Sequence, residues 1–199
     1  MPAIAEEILK ETKKLPEGAV ISAKEFLHLG SRDAVDQAIK RLKERNELMP
    51  IYRGAYVRPV KTRFGVRAPA HEKVVEGIAA TSAETIVAHG AAAANSLGLT
   101  TQVPIKLVYL TSGRTRTFKL GAQVVELKRA PQWKLLPSHS AAGEAVRALD
   151  WIGERRAAEA LTTLKRKLPH STIKELIALR PALPGWMSKS ISQTLVPHG

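Results

Sequence analysis

Ser31-Arg32-Asp33-Ala34-Val35-Asp36-Gln37-Ala38-Ile39-Lys40-Arg41-Leu42, followed by Leu48-Met49-Pro50-Ile51-Tyr52-Arg53-Gly54-Ala55-Tyr56-Val57, is the stretch on which the fold turns. Ser31 is an N-cap residue, and Val35, Ala38, Ile39 and Leu42 recur at spacings of three and four, so a helix runs from there to about Asn46. Two β-type runs then flank Arg53-Gly54, which predicts a tight hairpin. Upstream, Ser22-x-x-Glu25 reads as a capping box that opens a short helix to Leu29, and Gly30 supplies the turn after it. A first helix carries Ile4, Ala5, Ile8, Leu9 and Leu15 on one face and stops at Leu15-Pro16-Glu17-Gly18. Helix, helix, helix and hairpin within residues 1–59 is the order of a winged helix-turn-helix.

Downstream, residues 60–70 hold Lys61, Arg63 and Arg67 with no acid, and their composition predicts a basic linker. Residues 71–199 then read as a second domain. A helix is expected from His71 to Ala80, a strand over Glu84–Ala88 and an Ala-rich helix over His89–Leu97. Alternating runs at Ile105–Thr111, Thr115–Leu120 and Gln123–Lys128 predict an antiparallel meander, a sheet spanning about 105–128. A helical tail over 140–196 follows, broken near Gly153, Pro169 and Pro181–Gly185. The expected class is α+β: a winged helix-turn-helix, then an α/β domain with a small antiparallel sheet and C-terminal helices. The sequence has no internal repeat.

The 199 residues suffice for two small cores. With 44% hydrophobic and 25% charged residues the chain is expected to fold throughout. It has no cysteine, which excludes disulfides and thiolate metal sites. No apolar run reaches the ~18 residues of a membrane span, and the N-terminus lacks the basic-then-apolar order of a signal peptide. A cytoplasmic protein, monomeric in solution and without a membrane partner, is expected. The net charge of +13 and pI of about 10.2 point to a polyanionic partner. Residues 1–59 carry only +2 of it, 60–138 carry +7 and 139–199 carry +4. Base reading is therefore expected from the first block and phosphate binding from the linker and second domain.

In the helix after Ser31, Gln37, Lys40 and Arg41 lie away from the apolar face, and Arg32 sits in the first turn. Arg binds guanine O6 and N7 and Gln reads adenine, so these are candidate base-reading residues. Ser31 and the free N–H groups beside it suit a phosphate. Asp33 and Asp36 oppose it. Arg53 at the hairpin tip and Arg58 behind it are candidates for the minor groove or backbone, and Lys61, Arg63 and Arg67 for phosphates. Arg114 and Arg116, with Lys119, form a second basic cluster for DNA or an acidic partner.

Signals for catalysis are sparse. His28, His71, His89, His139, His170 and His198 show no HxH or HExxH spacing, and no phosphate-binding or nucleophile-elbow motif occurs. No metal, cofactor or reaction is expected. The competing reading is a metal-dependent nuclease built on Glu126-Leu127-Lys128, half of a restriction-type site, though no Asp lies between Asp36 and Asp150. A third is a basic nucleic-acid-binding adaptor without repressor activity.

The string Phe26–Ala38 with Arg53-Gly54-Ala55-Tyr56 resembles the winged N-terminal domain of AbiEi-type antitoxins. The string His89–Pro104 with Val108-Tyr109-Leu110-Thr111 is similar to the start of their second domain. The resemblance covers roughly residues 15–150. It implies a bacterial type IV toxin–antitoxin, or abortive-infection, system. The antitoxin represses its own operon by binding inverted repeats in double-stranded DNA and opposes a nucleotidyltransferase-like toxin. Ser31, Arg32, Gln37, Lys40 and Arg53 fall in the matching DNA-facing elements.

Overall fold

The computed structural model of the protein describes residues 3–196; His198 lies outside them. Two compact units emerge. One comprises residues 1–84 and 117–125, the other residues 85–116 and 126–199. The architecture is α+β, as expected from the sequence.

The first unit opens with α1 (Ile4–Lys13), β1 (Val20–Ser22), a 3₁₀ turn (Ala23–Phe26) and α2 (Arg32–Glu44). The strands β2 (Met49–Tyr52) and β3 (Ala55–Val57) follow. They form a three-stranded sheet in the order β1-β3-β2. Val20 faces Val57 and Ser22 faces Ala55, while Met49 faces Val57 from the other side. Pro50 sits on the edge strand β2, where its missing N–H costs no interior ladder bond. Gly54 takes φ +78° at the hairpin tip, the backbone that the Arg53-Gly54 pair foretells. Ile8 and Leu9 of α1, Ile21, Phe26, and Val35, Ile39 and Leu42 of α2 close one core. Each large apolar side chain buried there contributes about 1.5–3 kcal/mol.

Three details differ from the sequence reading. The segment from Ser22 makes a single 3₁₀ turn, because the backbone before it is committed to β1. The carboxylate of the capping box still forms: Glu25 Oε1 accepts from the Ser22 N–H at 2.7 Å. Leu15 lies beyond α1 and is exposed. Gly30 has no left-handed φ; what it provides is room, since a Cβ there would stand 2.8 Å from Ile4 Cδ1.

Residues 60–70 are not a linker. They form β4 (Val60–Thr62) and β5 (Gly65–Arg67), an antiparallel hairpin with Val60 opposite Arg67 and Thr62 opposite Gly65. The β-branched Val60, Thr62 and Val66 around a turn with Gly65 at φ +118° favour pairing over a basic linker. α3 (His71–Ser82), expected at the head of the second domain, belongs to the first unit. Gly18 and Gly77 let the α3 backbone approach so closely that a Cβ on Gly77 would lie 2.2 Å from the Gly18 carbonyl oxygen.

The second unit holds β6 (Ile86–Ala88), α4 (Gly90–Ser96) and β7 (Leu107–Thr111). Strands β8 (Arg116–Leu120) and β9 (Gln123–Arg129) cross the division, and the hairpin tip 117–125 is counted with the first unit. The order β6-β7-β9-β8 corrects the expected meander, because β9 lies between its two predecessors. At seven residues β9 is the longest of the four, with Val125 and Leu127 fully buried, and it finds a partner on either side. After α5 (Gln132–Leu135) come α6 (Ala141–Ile152), α7 (Glu154–Lys167), α8 (His170–Ala178) and α9 (Gly185–Leu195). Their core is Val146, Leu149, Leu161, Leu164, Leu176, Met187 and Ile191. The breaks fall at Gly153 and Pro169 and in the 3₁₀ turn Arg180–Ala182, as the sequence predicts.

Candidate nucleic-acid interface

α2 carries the central candidates. Its apolar stripe Val35, Ala38, Ile39 and Leu42 is buried, which turns Gln37, Lys40 and Arg41 to solvent. The Ser31 hydroxyl is occupied as the N-cap, accepting from the Ala34 N–H at 3.3 Å. Arg32 Nε donates to Asp36 Oδ2 at 2.8 Å, with both side chains about half exposed. Such an i,i+4 pair is worth only about 0.3–0.5 kcal/mol, so a phosphate or base edge competes with it easily. The exposed face of α2 also holds Asp33 and Glu44, so its electrostatic pull on DNA is small. Lys43 stands 6.0 Å from the centre of the Tyr56 ring and links α2 to β3.

The other candidate cations of the first unit lie in and between the two hairpins. No Asp or Glu occurs from residue 48 to residue 71, a span with Arg53, Arg58, Lys61, Arg63 and Arg67. Arg53 is exposed at the β2–β3 tip and Arg58 is half-buried. Arg63 lies over the Phe64 ring at 4.5 Å. Lys61 and Arg67 have structural work. Lys61 Nζ donates to Glu47 at 2.7 Å, and Arg67 donates to Glu17 at 3.3 Å and to the Ala68 carbonyl at 2.8 Å.

Glu17 is the node beneath them. Its carboxylate also accepts from Lys73 at 2.7 Å and from the Ala70 N–H at 3.1 Å. The Lys73 bond chiefly, then the Ala70 N–H and the nearby positive charges, hold its pKa down at about 2. Glu17 thus ties the foot of β5 and the start of α3 to the turn before β1. Nothing in the sequence marks it, since its partners lie fifty or more residues away.

Arg114 and Arg116 belong to the second unit, where Arg116 donates to the Arg114 carbonyl at 3.2 Å. That unit carries 15 Lys and Arg against 6 Asp and Glu, and the first carries 16 against 12. Arg155, Lys165 and Arg166 of α7 are exposed. Glu126 is 3.7 Å from Lys128, and Asp150 accepts from Lys134 at 2.6 Å. Among the described residues no three His, Asp or Glu side chains gather as metal ligands.

Two titratable groups of the second unit are shifted by their surroundings. His89 heads α4, its Nδ1 accepting from the Ala91 N–H at 3.2 Å. Burial first, then Lys128 and Lys134, push its pKa below the usual imidazole value. It lines a cleft of about 520 Å³ with Ile105, Lys106 and Trp151. Arg147 is almost fully buried in α6, and that burial lowers its pKa.

A family of unknown function, DUF6088, matches residues 7–176. The chain belongs to this family. Within this DUF6088 member the matched span runs from α1 into α8 and takes in α2, the β2–β3 and β4–β5 hairpins, Arg114, Arg116 and the basic residues of α7. No curated protein matches the chain. No described helix is long and apolar enough to cross a membrane.

Proposed function

We propose that this protein binds double-stranded DNA through a winged helix-turn-helix formed by α1, the 3₁₀ turn, α2 and the β1-β3-β2 sheet, and that it represses its own operon. The observation that carries this is α2: an amphipathic helix anchored by four buried side chains, with Gln37, Lys40 and Arg41 presented outward and a hairpin bearing Arg53 after it. That combination suits entry of α2 into the major groove with the β2–β3 hairpin as wing. The acid-free span 48–71 supports phosphate contact beside it. The resemblance to AbiEi-type antitoxins extends the proposal. On it, the protein is the non-enzymatic antitoxin of a two-gene module, and its second domain opposes a nucleotidyltransferase-like toxin.

The test is a gel shift of the full chain on the DNA directly upstream of its gene. Lys40→Ala with Arg41→Ala is expected to weaken binding and to flatten its dependence on salt by about two counterions. Unchanged affinity in that variant would remove α2 from the interface. Magnesium-dependent cutting of the same DNA, lost in Glu126→Ala, would replace repression by the nuclease reading. For the antitoxin role, the neighbouring gene is expected to arrest growth when expressed alone, and co-expression of this chain to restore it. Arrest that persists on co-expression would end that part of the proposal.

A further inference from the structure

The β4–β5 hairpin is a braced ribbon with an aromatic ring at its end. Two ion pairs, Lys61 with Glu47 and Arg67 with Glu17, hold its foot on the first unit. Its tip is ordered by Thr62, whose hydroxyl accepts from the Phe64 N–H at 3.2 Å and donates to the Gly65 carbonyl at 3.0 Å. Thr62 and Gly65 thereby close the turn and send Phe64 outward. Phe64 is 86% exposed, the most exposed aromatic residue of the described chain, and Val66 is 57% exposed. The Arg63 guanidinium lies over the Phe64 ring at 4.5 Å.

Phe64 and Val66 are both exposed and stand outside the core that α1 and α2 close, so burial in that core does not account for a braced hairpin that holds a phenyl ring in water. Its surroundings specify the partner. Arg63 lies against the ring, the carboxylates Glu47 and Glu17 are engaged at the foot by Lys61 and Arg67, and the ribbon follows directly on the candidate wing. The matching surface is polyanionic and offers flat apolar faces at the spacing of one ring, which describes a stacked base step between phosphates. Apolar side chains are inserted at such steps from the minor groove by proteins that kink DNA.

We propose that the β4–β5 hairpin is a DNA wedge: Phe64 enters a base-pair step from the minor groove and bends the duplex, while Arg63 meets the adjacent phosphate. This rests on the DNA-binding reading of α2 and deepens it. The wedge gives the site a preference for deformable pyrimidine–purine steps at positions that α2 does not touch.

The experiment uses the full chain and the duplex directly upstream of its gene, labelled at both ends for energy transfer and carrying aminopurine at candidate steps. The wild type is expected to shorten the end-to-end distance, for a kink of about 20–90°, and to raise aminopurine fluorescence at one step. Phe64→Ala is expected to bind with no more than about tenfold loss, since the unstacking cost vanishes with the wedge, yet to leave the duplex straight and the fluorescence unchanged. Phe64→Trp is expected to keep both signals. Binding of the wild type without bend or fluorescence rise overturns the wedge, as does a Phe64→Ala complex bent like the wild type. In either case α2 still stands if Lys40→Ala with Arg41→Ala weakens binding. Absence of duplex binding by the wild type overturns both. A sedimenting dimer that Phe64→Ala dissociates, with the bend unaltered, assigns the ring to self-association and overturns the proposal.

Discussion

Glu17 is a carboxylate whose protonation the first unit feels through Lys73, the Ala70 N–H and Arg67. Its pKa in the folded protein, about 2, lies below the ordinary 4.5, so it favours the folded state at any pH above about 4.5. That contribution is lost as the pH falls from 4.5 towards 2 and the carboxylate takes up its proton. Urea unfolding followed from neutral pH to pH about 3 is expected to show a falling midpoint. Glu17→Gln is expected to be less stable at neutral pH and to lose less on acidification, so that the two curves converge. Parallel curves would mean that Lys73, Arg67 and the Ala70 N–H do not depend on its charge. Other charged residues sort by the same logic of partners. Arg32, one of the base-reading candidates of the sequence, is paired with Asp36; Lys61 and Arg67, its phosphate-binding candidates, brace a hairpin. Gln37, Lys40, Arg41 and Arg53 face solvent as the sequence suggested.

Among the elements, α3 makes the sharpest prediction. It reaches the first unit through Gly18 and Gly77, where one added methyl group meets backbone that cannot swing aside. Gly77→Ala is expected to cost at least about 1–3 kcal/mol, more than its gain in helix propensity of about 1 kcal/mol returns. Chemical denaturation would read it, and a variant as stable as the wild type would mean that α3 does not depend on that approach. Elements with one strong local signal were legible: α2 from its apolar spacing and Ser31, the β2–β3 turn from Arg53-Gly54, and the tail helices from Gly153 and Pro169. Elements whose existence depends on a remote partner were not. β1 is three residues long and is a strand only because β3 pairs with it. The β4–β5 hairpin was hidden by its charge, since a basic, Gly- and Pro-containing stretch reads as linker until its foot is seen on Glu17 and Glu47.

For the whole molecule, charge is divided unevenly. The unit with α2 holds the smaller surplus of cations, and the unit with α7 the larger. On the proposed DNA-binding function, much of the counterion release comes from outside residues 1–59. Reversing Lys165 and Arg166 to Glu on the exposed side of α7 is expected to weaken binding to the upstream duplex and to lower the salt slope without abolishing the preference for that duplex. Anisotropy titrations across a salt series would read this. A slope unchanged by the reversal would confine DNA contact to residues of the first unit.

The sequence by itself determined the α+β class, α2 with its buried face, the breaks of the C-terminal helices, the hairpin at Arg53-Gly54 and the net charge of +13. These follow from periodicity, caps and counting, which are properties of neighbours in the chain. Tertiary structure alone decided that residues 60–67 pair as a hairpin, that α3 joins the first unit, that β9 lies between β7 and β8, and that Phe64 stands exposed at a tip. The β4–β5 pairing is itself local and only masked by its basic composition, but the place of α3 and the order of the sheet turn on contacts with residues distant in sequence, through Glu17, Gly18 or a strand neighbour. No local pattern encodes such a contact, because its energy exists only once both partners are in place.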